Sequence, residues 1–181
     1  MPKVLVLYFS KYGSTKKYAE WIAEELKGDI FNIKDVRQNQ LYEYDTIILG
    51  SALYAGNIVG ISLFVDNYEK LKDKKLIIFT CGVADYSKTE NCDSIYKRLE
   101  EALPKNILDS IKVFYLRGSI NYKKLSLKHK LMMGMVRKMV LKKGLDNLNE
   151  ENKEFLETFG KTVDFTDKNS IKGIIDYCRN S

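Results

Sequence analysis

The sequence predicts an α/β fold: five parallel strands in one sheet, with helices on both faces, making three layers. Two observations carry that expectation. Apolar runs alternate with helical patterns along the chain, and such alternation implies right-handed crossovers between parallel strands. The runs are also too continuous for strands that face water on one side, so they suit a sheet covered on both. The length agrees, because 181 residues supply one sizeable core and are few for two. Residues 1–181 are therefore read as a single domain.

The first strand is Val4-Leu5-Val6-Leu7-Tyr8-Phe9. Ala19, Ile22, Ala23 and Leu26 follow at the i, i+3, i+4, i+7 spacing of an amphipathic helix, with Gly28 as its stop. A short strand is expected over residues 30–33 and a second buried strand over 46–50. Ile61, Phe64, Val65 and Tyr68 repeat the helical spacing, and residues 76–80 form a third apolar run. Cys92, Ile95, Tyr96, Leu99 and Leu103 make another helical face, closed by Pro104. Residues 111–116 are the last strand. Ile171, Ile174, Ile175 and Cys178 form a final helix, with Asp167 or Ser170 as its cap.

Composition is that of an ordinary globular protein, with 45% hydrophobic and 30% charged residues. The chain has two prolines and no linker-like tract or internal repeat. It holds neither a run of about 18 apolar residues nor an apolar leader, so a cytoplasmic protein is expected. Three widely spaced cysteines and one histidine make neither a disulfide framework nor a metal site. No nucleic-acid recognition motif is present.

In a parallel sheet of this kind ligands bind beyond the carboxyl ends of the strands. The loops after Phe9, Gly50, Thr80 and Leu116 are thus the ones that matter. The first is Ser10-Lys11-Tyr12-Gly13-Ser14-Thr15. A helix amino terminus attracts phosphate through its unpaired amides. Gly13 admits a close approach, and Ser10, Ser14 and Thr15 supply hydroxyls; the plainer alternative is a joint whose Ser14 or Thr15 merely caps the helix. The loop has neither the Lys-Ser/Thr ending of an NTPase loop nor the three-glycine dinucleotide pattern. The second loop begins Gly50-Ser51-Ala52-Leu53-Tyr54, whose small residues would let a flat ligand lie on the backbone, with Tyr54 to stack. The third, Thr80-Cys81-Gly82-Val83-Ala84-Asp85-Tyr86, offers a glycine and a tyrosine again.

On these three loops the chain resembles the flavodoxin-like superfamily, whose members hold FMN with them. The Ser/Thr-x-x-Gly-x-Thr phosphate loop of that family corresponds here to residues 10–15. The resemblance implies that Ser10, Lys11, Tyr12, Gly13, Ser14 and Thr15 enclose the phosphate. It also implies that Ser51, Ala52, Leu53, Tyr54, Gly56, Cys81, Gly82, Asp85 and Tyr86 surround the ring, Tyr54 and Tyr86 flanking it. Gly56 would let its peptide turn a carbonyl toward the ring's central nitrogen on reduction. A narrower similarity lies in LRGSINYKKLSLKHKLMMGMVRKMV, followed later by VDFTD and a final helix. It is similar to the menaquinone-dependent protoporphyrinogen dehydrogenases, as is the seven-residue span from Gly50 to Gly56. Tyr54 departs from that group, standing where a basic residue is expected, and residues 145–160 look longer.

Residues 119–145 hold eight Lys or Arg and no acid. The chain's net charge is +6, so the remainder carries −2, and the basic character is local. Leu125, Met132, Met135, Val136, Met139 and Val140 interleave with the lysines at roughly helical spacing, although Gly134 would weaken a helix there. Three uses are open: a helix docked on the domain, peripheral contact with the inner face of an anionic membrane, or binding of an acidic redox partner or tetrapyrrole carboxylates.

No residue stands out as a general base; Asp85 is the one acid worth testing, and the catalytic residues are unassigned. The expected function is FMN-dependent oxidoreduction, from protoporphyrinogen IX to a quinone. The alternative is a flavodoxin-type carrier between partner proteins. Such carriers are usually strongly acidic, which the basic segment opposes.

Overall fold

The structure is a computed structural model that describes residues 2–54 and 57–180. Along the chain the elements are β1 (Val4–Tyr8), α1 (Ser14–Leu26), β2 (Asp29–Asn32), β3 (Thr46–Ser51), β4 (Leu53–Tyr54), β5 (Asn57–Ile58) and α2 (Ser62–Leu71). Then come β6 (Lys75–Gly82), α3 (Thr89–Ala102), α4 (Lys105–Leu108), β7 (Ile111–Arg117) and β8 (Ser119–Asn121). The last are α5 (Leu127–Lys142), α6 (Glu150–Thr158), β9 (Thr162–Asp164) and α7 (Lys172–Arg179).

Five strands form one all-parallel sheet in the order β2-β1-β3-β6-β7. Strand side chains alternate between faces, and here both faces are covered. Val4 and Val6 pack with Tyr18, Ala19, Ile22, Ile174 and Ile175 of α1 and α7. Leu5 and Leu7 pack on the other side with Phe64, Leu71 and Leu99 of α2 and α3. Two filled faces are the physical reason the three central strands hold unbroken apolar runs, Val4–Leu7 in β1, Ile47–Leu49 in β3 and Leu76–Phe79 in β6. The three-layer sandwich expected from the sequence is the fold.

Several boundaries differ. The second strand runs 29–32, β6 continues two residues past Thr80, and β7 ends at Arg117. Tyr96 is exposed, not part of the buried face of α3, which uses Asn91, Ile95 and Leu99. Helix α1 ends on Lys27 in the left-handed conformation, φ 51°, one residue before the expected Gly28. Asp167 accepts a hydrogen bond from the Asn169 amide at 2.9 Å and caps a short turn at 168–171, ahead of α7 itself.

Between β7 and α7 the chain makes a 119–166 excursion over the carboxyl end of the sheet. Strands β8 and β9 pair antiparallel, Ile120 opposite Val163. They are too short for a period to register in sequence. Helix α5 runs straight through Gly134, whose cost of about 1 kcal/mol a 16-residue helix can absorb. Ser126 caps it, accepting from the His129 amide at 3.4 Å. Buried Tyr18 anchors the base of the excursion: its hydroxyl donates to the Arg117 carbonyl at 2.7 Å and accepts from the Asp167 amide at 3.0 Å. Among the described residues, no helix is long and apolar enough to cross a membrane.

Candidate functional site

Because the five strands are parallel, the loops after β1, β3, β6 and β7 share one edge of the sheet. The first loop is shaped by Ser10, whose Oγ accepts the Gly13 amide at 3.0 Å. Gly13 stands at the start of α1 with φ 105°, a conformation that favours glycine. A Cβ there would meet no atom of the described residues within 4 Å. Among the described residues no side chain caps α1, whose N-cap is Gly13, and no acid lies in its first turn. Its amino-terminal amides are therefore available to an anion.

Two cavities meet at this loop, and a third adjoins them. One, of about 530 Å³, is lined by Ser10, Tyr12, Gly13 and Ser119 together with Lys11, Lys16, Asn121 and Lys124. It has three lysines and no carboxylate. The next, of about 210 Å³, shares Ser10, Tyr12, Gly13 and Ser119 and adds Ser14, Thr15, Ala52, Cys81, Gly82 and Val83. Its far wall is apolar: Ile120, Leu125, Met132 and Met133. A third, of about 250 Å³, lies beyond Cys81, Gly82 and Val83, between Tyr86, Tyr122 and Phe155.

The predicted residues are used unequally. Ser14 does not face the space freely; its Oγ accepts the Ser119 amide at 3.0 Å and lies 2.7 Å from the Ser119 hydroxyl. Thr15 is buried within hydrogen-bonding reach of Cys81. Burial pushes the Cys81 thiol up to about 12. Lys11 and Tyr12 both reach His129 of α5: the Tyr12 hydroxyl contacts Nδ1, and Lys11 Nζ lies 3.5 Å from Nε2. Partial burial, then Lys11 and Lys128, hold His129 below its usual pKa.

In the second loop Ala52 lines the central cavity, while Ser51 is buried and donates to the Ala52 carbonyl at 3.2 Å. Leu53 and Tyr54 form β4, their side chains lying outside the described residues, as does Gly56 altogether. In the third loop Gly82 lines two of the cavities. Tyr86 lines only the cavity beyond, packed on Tyr115 at 5.7 Å between ring centres. Burial raises its phenol well above the ordinary value. Asp85 lines none of the three. Its Oδ1 accepts from the Ser87 amide and hydroxyl at 3.0 and 2.8 Å, bonds that keep its carboxyl below the usual range.

The structure adds residues that spacing alone did not select: Gly118, Ser119, Ile120, Leu125, His129, Met132 and Met133. All follow β7, whose exit was one of the four loops in question, so the topological signal existed. Gly118 is a close approach, since a Cβ would stand 2.7 Å from the Cys81 sulfur. The third loop is held under α6 as well. Lys88 bridges Glu150 at 2.8 Å and Glu154 at 3.2 Å, and the Asp85 amide donates to Glu154 at 3.0 Å.

The group these residues fit has an anionic end and an apolar body. Uncapped amides, hydroxyls and three lysines meet the first requirement, and the Ile-Leu-Met wall meets the second. FMN has both parts. The flavodoxin domain family model matches residues 5–147. An uncharacterized protein of Methanocaldococcus jannaschii is 39% identical over 82 residues, 44% of this chain and 55% of that protein, so the match spans about half the relative's length. A flavodoxin of Maridesulfovibrio salexigens is 31% identical over 128 residues, 62% of this chain and 86% of its own. Among solved structures, a flavodoxin, WrbA-like protein of Agrobacterium tumefaciens is 19% identical, with 71% of this chain and 87% of that one covered and a TM-score of 0.47. With the family match running from β1 to just past α5, the chain belongs to the flavodoxin domain family, within the flavodoxin-like FMN-binding superfamily.

Proposed function

We propose that this protein binds FMN and works as a flavodoxin-type electron carrier between partner redox proteins. The observation that carries the reading is the first loop, where an uncapped helix start, Gly13 at positive φ and a lysine-lined cavity converge. Bound FMN supplies the redox chemistry. The chain's own part is to bind and orient it. The α1 amides, Ser10 and Lys11 would hold the phosphate, with Lys16 and Lys124 adding charge. Ser14 and Ser119 would fix the loop against the β7 exit, and Ala52, Gly82 and Val83 would border the ring. Met132 and Met133 would keep water from one side. Fluorescence titration of the apoprotein tests this: FMN should bind at least tenfold more tightly than riboflavin, which lacks the phosphate. Equal affinities would refute the phosphate-loop assignment.

A second reading is oxidation of protoporphyrinogen IX with a menaquinone-like acceptor. It is favoured by one observation, the apolar wall that segment 119–145 contributes to the central cavity. Anaerobic mixing of the FMN-loaded protein with protoporphyrinogen IX separates the two. Flavin bleaching reversed by a menaquinone analogue supports the enzyme. Absence of bleaching, with the flavin still reducible by a flavodoxin reductase, supports the carrier. Peripheral attachment at the inner face of a membrane would serve the enzyme reading, and α5 supplies the argument for it.

A further inference from the structure

Helix α5 has two unlike faces. One face, with His129, Met132, Met133 and Val140, turns to the cofactor cavity and the domain. The other carries Leu127, Leu131, Met135 and Met139, which are 83%, 68%, 53% and 67% exposed. Among the described residues, six of the nine exposed large hydrophobic side chains lie on this one helix. Scattered exposed hydrophobics need no explanation, but a contiguous set does. The four recur every fourth residue, so they form a ridge about 18 Å long. At 100° per residue, Lys128, Lys138 and Lys142 fall within the same arc, and all three are exposed. Among the described residues, no ion pair draws on any Lys or Arg of residues 119–145.

We propose that this outward face of α5 docks the protein on an anionic lipid surface, with the Leu/Met ridge in the headgroup and acyl boundary and the lysines on the headgroups. The charge distribution selects this occupant. The segment is wholly basic while the rest of the chain carries −2, so an anionic surface both attracts and orients the molecule. A second copy of the chain would bring the same lysines face to face. An amphipathic helix of this composition is what an interface holds in its plane. Because the inner face of α5 lines the cofactor cavity, docking sets that cavity one helix diameter, about 10 Å, from the lipid. This goes beyond the proposed function, since docking needs no flavin.

The test is sedimentation of the full chain, with and without added FMN, on vesicles of phosphatidylglycerol and phosphatidylcholine and on phosphatidylcholine alone. The expected result is binding to the anionic vesicles only, with or without FMN, and weaker binding when salt rises from about 0.1 to 0.5 M. The variant Leu131→Gln/Met135→Gln should lose at least about tenfold in vesicle affinity. Lys138→Gln/Lys142→Gln should lose about fivefold per lysine. These positions point away from the domain, and circular dichroism establishes that each variant folds. No binding to anionic vesicles overturns the proposal, as does unchanged binding of the Leu131/Met135 variant. Concentration-dependent dimerisation or capture of an acidic protein through this face, without vesicle binding, overturns it too. Failure to bind FMN would strike the proposed function and leave the docking result intact.

Discussion

Replacing Gly13 with alanine isolates backbone conformation from packing. An added Cβ meets no atom of the described residues within 4 Å, so none of them contributes a clash. What remains is φ 105°, a region that costs a residue with a Cβ about 1–3 kcal/mol. The alanine also restricts the unfolded chain, which returns about 0.4–1 kcal/mol. The net expectation is about 1–2 kcal/mol of destabilisation, or a fall in Tm of about 2–8 °C for a chain of this size. The assay is thermal unfolding of the apoprotein followed by circular dichroism. A second readout is FMN affinity, which should fall because the Cβ stands in the space before the loop. Gly134→Ala is the control, since a Cβ there also meets nothing within 4 Å. Gly134 sits inside α5, where alanine is favoured over glycine by about 0.8–1 kcal/mol, so that variant should be the more stable. Identical Tm changes for the two variants would refute the reasoning.

Among the described residues, two buried hydroxyls, Thr80 Oγ1 and Tyr122 Oη, have no hydrogen-bond partner, and each such group costs about 1–3 kcal/mol. Thr80→Val and Tyr122→Phe should each raise the urea midpoint, and a lowered midpoint would mean that the hydroxyl is satisfied by solvent. Lys88 and Lys153 depress the Glu150 carboxyl from its ordinary 4.5 to about 2. A depressed carboxyl contributes stability above its unfolded pKa and loses it as pH falls through the folded one. Protease sensitivity of α6 should therefore rise between about pH 4.5 and 2, and Lys88→Met should flatten that rise; an unaltered profile would exclude the ion pairs as its source. Native thiol titration at pH 8 should modify half-buried Cys92 first and Cys81 last, because burial holds the Cys81 thiol near 12. Early modification of Cys81 would mean that the central cavity opens to solvent.

The sequence by itself determined the sheet. An uninterrupted apolar run such as Val4–Leu7 leaves no face for water, and the same holds for the runs in β3 and β6 without knowledge of any distant contact. It determined the first loop too, because Ser10, Gly13 and the start of α1 are neighbours along the chain. Only the tertiary structure decided what covers that loop. Residues 119–145 read as an amphipathic basic segment, but the methionines at helical spacing do not share one fate. Met132 turns to the cavity, while Met135 and Met139 face outward. Helical periodicity says which residues share a face and nothing about which face meets the domain. Here the choice is made by His129 against Lys11 and Tyr12, more than a hundred residues away in sequence, and by Arg137 over the ring of Phe159, 5.2 Å from its centre. The same holds for Ser14, a free hydroxyl in sequence that the fold commits to Ser119, and for α6, whose polar pattern becomes a helix only over the third loop, where Lys88 meets Glu150 and Glu154.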